Sequence, residues 1–308
     1  MLNYRTDLAM EAFDGENQDA LPGVDVHRWE TGGVTLTEVV ISDACAADAL
    51  GKPAGRYLTL ESPLLRRRDP DVRRAMAGLL AEELARLLPE EDPRACALVI
   101  GLGNRQITPD SLGPCVIDRT LVTRHLNDHL FPLSDMRPVS AIAPGVLGVT
   151  GIETMDIVES LVRLLSPAAV ICIDSLAARD SRRIGATLQL TDTGIQPGAG
   201  VGNHRRALTC ESVGAPVIAI GMPTVIHAAT LARDAFDWLN RQSGDDSPHE
   251  DALSDMERSL LATDLGDMIV TPREIDALVQ DAAGIIAAGI NRALQPELTE
   301  AEIAAMMD

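Results

Sequence analysis

The chain has 308 residues, 46% of them hydrophobic and 23% charged, and 46 acidic against 26 basic side chains leave a formal net charge of −20. That balance supports a folded core and excludes an extensively disordered chain. A negative field of this size repels phosphate backbones, and with only three Phe, two Trp and two Tyr there is little for bases to stack on, so direct nucleic-acid binding is not expected.

Residues 1 to about 25 read as polar and irregular, and they lack the apolar core of a signal peptide. Thr31–Ile41 alternates like a strand, with Arg56–Glu61 as its antiparallel partner. The basic run Arg66–Arg68 with Arg73 and Arg74 is interrupted by Asp69 and Asp71 and reads as a solvated helix entrance. Asp71–Leu88 has apolar residues at three- and four-residue spacing, which predicts an amphipathic helix. Ala95–Ile100 is a short continuous apolar run, the pattern of a strand buried on both faces.

Val139–Ala143 reads as the next strand. Thr150 and Glu153 have the spacing of a capping box, which predicts a helix opening there and running to about Leu165, where Pro167 ends it. Ala169–Ile173 and Pro216–Ile220 are further buried strands, the second followed by Gly221 and a helix over Val225–Trp238. Arg241–His249 is a polar linker, and one long helix follows from about Thr271, with Pro272 at its first position. Strands alternating with helices predict an α/β fold: a doubly wound, mostly parallel central sheet flanked by helices, with a small additional β element near the N-terminus. No apolar stretch is long enough to span a membrane, and the chain reads as soluble and intracellular.

In such a sheet, reacting groups gather beyond the carboxyl ends of the strands. Past Ile100 come Gly101-Leu102-Gly103-Asn104 and then Asp110; past Ile173 comes Asp174. Two carboxyls brought together cannot both ionise cheaply, so one keeps a proton while the other accepts one. Such a pair can activate water and protonate a leaving amine, which is peptide hydrolysis. The same two residues also read as a helix cap at Ser111 and as a strand-end partner for Arg179.

Other signals are weaker. The glycines at 101 and 103 lack the third glycine of a dinucleotide fingerprint. The glycine-rich Gly194–Asn203, followed by His204, reads either as a mobile loop or as a cradle for a peptide backbone, with Gly200, Gly202, Asn203 and His204 as its candidate substrate contacts. His125 and His129 are four apart but have no third ligand, and Ser111 and Ser175 lack a nucleophile elbow. The five cysteines (Cys45, Cys96, Cys115, Cys172, Cys210) include no CxxC pair, so neither a disulfide framework nor a zinc clasp is expected.

The blocks RTDLAMEA, GLGNRQITPDSLGP, APGVLGVTGIET, ICIDSLAAR, GIQPGAGVGN and VTPREIDALVQ, in this order, resemble the spore germination protease family from Arg5 to about residue 294. The resemblance implies an endopeptidase that starts the degradation of small acid-soluble spore proteins during germination. It also implies an atypical aspartic peptidase of hydrogenase-maturation-endopeptidase-like or phosphorylase/hydrolase-like fold, a homotetramer, and a place in the forespore cytoplasm or spore core. The family's two essential aspartates fall on Asp110 and Asp174.

The resemblance further implies a zymogen that cleaves itself between an acidic and a large apolar residue followed by Ala and Glu. Here that bond is Asp7–Leu8, with residues 1–7 as propeptide and 8–308 as a single α/β peptidase domain carrying a polar loop around 239–260. No cofactor and no metal are expected. The alternatives are a metal-dependent maturation-type endopeptidase, in which the two aspartates would be ligands, a non-catalytic peptide-binding α/β protein, and a phosphorylase-like or hydrolase-like enzyme on the same architecture.

Overall fold

A computed structural model describes residues 6–13, 21–89, 95–126, 136–199, 205–242 and 268–307. Among these, nine strands form one sheet: β1 (Val24–Thr31), β2 (Val34–Ile41), β3 (Gly55–Glu61), β4 (Ala97–Gly101), β5 (Val139–Ile142), β6 (Ala169–Ala178), β7 (Thr187–Thr191), β8 (Val217–His227) and β9 (Ile269–Val270). Their order is β1-β2-β3-β7-β8-β6-β4-β5, with β9 against β8.

The sheet is mixed, which corrects the expectation of a mostly parallel one. β5, β4, β6 and β8 run parallel, while β1–β2, β2–β3, β3–β7, β7–β8 and β8–β9 are antiparallel. Chain length decides this. The parallel strands are joined by crossovers that carry helices, but only Arg179–Ala186 separates β6 from β7, too short for a crossover. The additional β element expected near the N-terminus is β1–β3, and it continues the same sheet through β3 and β7.

Several element boundaries also differ from expectation. Thr31–Ile41 is not one strand: Gly32 and Gly33, at φ +58° and +74°, turn β1 into β2 as a two-residue hairpin that needs left-handed backbone at both positions. Residues 9–13 form a buried helical turn, Ala9–Phe13, rather than irregular chain. Thr150 opens no capping box; it ends a one-turn helix, Leu147–Thr150, that stops at Gly151 (φ +71°), and the longer helix is Thr154–Leu165. β8 runs on to His227, so the following helix is Ala228–Gln242. That helix takes up residues 239–242 of the expected polar loop, and 243–267 lie outside the described residues. The C-terminal helix starts at Ile275, three residues after Pro272, and a second helix, Glu300–Met307, follows it.

Alternation along the strands builds two faces. Ile171 and Ile173 of β6, Ile218 and Ile220 of β8, and Leu188 and Leu190 of β7 point to one face, under the helices Pro70–Leu87 and Ile275–Leu294. These two helices pack closely: a Cβ on Gly289 would lie 2.8 Å from Leu80 Cδ2. On the other face Val170, Cys172 and Val217 pack under Thr154–Leu165. Further along that face, Leu176 and Ala178 of β6 meet Leu8, Ala9 and Met10 of the N-terminal segment together with Val39 and Tyr57. Asp174 lies between these last two apolar clusters.

Candidate active site

β4 ends at Gly101, opposite Ile173, while β6 and β8 continue side by side beyond it. Asp174 is therefore not past its own strand, as the sequence reading had it, but it is the first β6 residue beyond the end of β4. The chain leaving β4 crosses this gap. The Leu102 N–H donates to the Ile173 carbonyl at 2.8 Å, and the loop then closes through a 3₁₀ turn, Thr108–Asp110, into the helix Leu112–Ile117.

Glycines make the closure possible. A Cβ on Gly101 would lie 2.4 Å from the Gly113 carbonyl oxygen, one on Gly113 2.3 Å from that of Leu102, and one on Gly103 2.0 Å from that of Asp110. These glycines serve backbone contact at the helix entrance, which brings Asp110 over the end of β4. Asp110 caps no helix: its Oδ2 accepts from the Asn104 N–H at 2.8 Å.

Asp110 and Asp174 line one cavity of about 430 Å³, together with Gly103, Val146, Arg205 and Thr271. Asp174 is buried, and its Oδ1 accepts from the Ser175 N–H at 2.9 Å. Burial above all, then the negative charges of Asp110 and Asp7, hold its carboxyl well above the usual carboxylate range. Asp110 is half-buried and also shifted up by burial, but the Asn104 amide and the positive charge of Arg205 work against that shift. The two carboxyls thus have unequal environments. Asp174 is the one better placed to keep a proton, and Asp110 the one better placed to ionise.

Asp174 also lines a second, smaller cavity of about 190 Å³ with Asp7, Lys52, Gln189 and Gly198. The N-terminal segment is pinned there by many contacts. The Asp7 N–H donates to the Ala177 carbonyl at 3.0 Å, and Asp7 Oδ2 accepts from the Ala177 N–H at 2.8 Å. Lys52 Nζ donates to the Thr6 carbonyl at 2.8 Å. Glu11 is fully buried, accepting from the N–H groups of Arg179 (2.7 Å) and Asp180 (2.9 Å) and pairing with Arg183 at 3.0 Å. Asp7 of the expected cleavage bond therefore lines a cavity with Asp174 and Leu8 packs with Leu176 and Ala178, whereas Gly200, Gly202, Asn203 and His204 lie outside the described residues.

Sequence reasoning missed Lys52, Gln189, Arg183 and Thr224. Lys52 is the only lysine of the chain, which was a usable signal. Thr224 sits where the β6–β8 register slips, so an extra residue is inserted opposite Leu176 and Ala177, and nothing in GMPTVI announces that bulge. The hydroxyl oxygens of Ser175 and Thr224, two residues that also line the larger cavity, are buried with no hydrogen-bond partner among the described residues. Among those residues no group of three or more His, Cys, Asp or Glu side chains is placed to hold a metal ion, and no helix is long and apolar enough to cross a membrane.

The chain is similar over its whole length to curated proteins. It is 42% identical to the germination proteases of Caldanaerobacter subterraneus and Clostridium perfringens, over 98% of this chain and 98% of each relative. It is 38% identical to that of Bacillus cereus, over 97% of this chain and 95% of the relative. The germination protease family model matches residues 5–260, which contain both aspartates and the pinned N-terminal segment. The chain belongs to the germination protease family and is a protease.

Proposed function

We propose that the protein is a self-processing endopeptidase in which Asp110 and Asp174 act as an acid–base pair on small acid-soluble spore proteins in the spore core. One observation carries this reading: two carboxyls from separate elements line one cavity, and the charge of one raises the proton affinity of the other. Asp110, the more readily ionised, takes a proton from the attacking water. Asp174 supplies its proton to the departing amine. The cleft and the acidic-to-apolar sequence at Asp7–Leu8 support a polypeptide substrate of the same pattern.

Under this reading the N-terminal segment is the zymogen's silencing element. It occupies the space beside Asp174, and its removal between Asp7 and Leu8 releases residues 1–7. Leu8, the new terminus, then directly precedes the helix Ala9–Phe13. The assembly is the homotetramer that the family resemblance implies.

Incubation of the purified chain with a spore-protein peptide containing an acidic-to-apolar bond tests the reading. Cleavage that survives a chelator and disappears in Asp110→Asn and Asp174→Asn supports it. Loss with chelator and rescue by zinc overturns the acid–base pair, and binding without cleavage overturns the enzyme reading of the site. Light scattering of the intact protein tests the tetramer.

A further inference from the structure

Gln189 is the middle residue of β7. Its neighbours Leu188 and Leu190 point into the core under the long helices, and Gln189 points to the opposite face, where it is buried. The register places Gln189 beside Gly221 of β8, and Gly221 beside Asp174 of β6. Residues in register share a face, so Gln189 and Asp174 stand on the same side of the sheet, two strand spacings or roughly 10 Å apart across it. Gly221 between them carries no side chain.

The carboxamide of Gln189 is spent on the N-terminal segment. Its Nε2 donates to the Asp7 carbonyl at 3.1 Å, and its Oε1 accepts from the Ala9 N–H at 2.8 Å. The carbonyl is that of the Asp7–Leu8 bond itself, and the N–H belongs to the next residue but one. A buried amide in the middle of a strand costs free energy unless both ends are paired. Here both ends are paired by the main-chain groups that flank Leu8: the carbonyl of the Asp7–Leu8 bond and the N–H of the Leu8–Ala9 bond.

We infer that Gln189 is a catalytic residue of the self-cleavage: it polarises the carbonyl of the bond to be cut and holds the oxygen as negative charge develops on it. Water adds to the Asp7 carbonyl carbon and loses a proton to Asp110, and the carbonyl electron pair moves onto the oxygen that faces Gln189 Nε2–H. As this adduct collapses, the C–N bond breaks, the Leu8 nitrogen takes the proton of Asp174, and Asp7 is left as a C-terminal acid. The Oε1 contact keeps the Ala9 N–H, and so the leaving side, in place throughout. This inference rests on the proposed cleavage at Asp7–Leu8.

The test follows the appearance of Leu8 as a new N-terminus in the full-length chain, for wild type, Gln189→Met, Gln189→Glu and Asp174→Asn. Loss of a comparable donor slows catalysis by about 10²–10³-fold, and Gln189→Met is expected to lie in that range with its melting transition still cooperative. Gln189→Glu is expected to be slow near neutral pH, where a carboxylate cannot donate. Relative to wild type it recovers as acid protonates it, a pH response that a purely structural role would not produce. Wild-type rates in both variants overturn the inference, as does a Gln189→Glu to wild-type ratio that is flat with pH. If wild type never yields Leu8, the bond assignment falls and the inference with it. If Asp174→Asn still yields Leu8, the acid–base pair fails while the glutamine variants still decide the role of Gln189.

Discussion

Gly101 at the end of β4 and Gly113 in the helix Leu112–Ile117 meet backbone to backbone, so that a methyl group on either would fall within 2.5 Å of the other segment's main chain. Main chain cannot rotate out of the way as a flexible side chain can. A Gly113→Ala substitution is therefore expected to push the helix entrance off the sheet. Overpacking of this kind costs about 1–3 kcal/mol, and a displacement near 1 Å at the chemistry costs about 10²-fold in rate. Urea unfolding and peptide cleavage measured on the same variant check both, and a variant of wild-type activity would show that the contact does not position Asp110.

Asp110→Asn and Asp174→Asn each remove one half of a proton exchange, worth about 10²–10⁴-fold in rate. Because burial and the neighbouring charges raise the Asp174 carboxyl, activity is expected to fall as pH rises through the point where Asp174 loses its proton. It also falls at lower pH, as Asp110 becomes protonated and can no longer act as base. A bell-shaped dependence of kcat/KM on pH, with both apparent values belonging to the pair, is the expected profile.

The raised Asp174 carboxyl also destabilises the fold over a defined interval. In the unfolded chain this group ionises in the ordinary carboxylate range, whereas in the folded protein it holds its proton to higher pH. Its contribution is most favourable below the unfolded value and is lost as pH rises towards the folded one. Asp174→Asn is therefore expected to melt above wild type at pH 7, with the gap closing near pH 4. Calorimetry at the two pH values decides it, and a variant that melts lower at neutral pH would contradict the shift.

Glu11 is buried against Arg183 and two backbone N–H groups at the end of β6. Glu11→Ala leaves two buried amide donors without their acceptor and the nearly buried Arg183 guanidinium with Glu61, at 3.5 Å, but without its closer partner. Leaving a buried donor unsatisfied costs about 1–3 kcal/mol. Since Leu8, Ala9 and Met10 are packed beside it, the loss is expected to free the N-terminal segment, seen as faster hydrogen exchange at Leu8 and Ala9.

Much of the parallel half of the sheet was readable, because β4 and β6 are continuous apolar runs and strands of that kind fit only where both faces are covered. Asp110 and Asp174 could be singled out as well, although Asp174 for a corrected reason: the strand that ends beside it is β4, not β6. The antiparallel half was harder. The Gly32–Gly33 hairpin was present in the sequence as a pair of turn residues, but the alternation on its far side masked it. β7 carries only TLQLT, five residues whose alternation is too short to stand out. Gln189 and Arg183 gain their roles from residues near the N-terminus, contacts of more than 170 positions that no local pattern encodes.

Lys52 is the sole side-chain amine of this chain, half-buried, and tied to the Thr6 carbonyl next to Asp7 and Glu11. Burial lowers its affinity for a proton against the opposing charges of Asp7 and Glu11, and the Thr6 carbonyl holds the amine until the segment departs and exposes it. The molecule thus carries a built-in single-site reporter: acylating reagents have one ε-nitrogen to find, and the rate at which they find it counts the copies whose leading strap has let go.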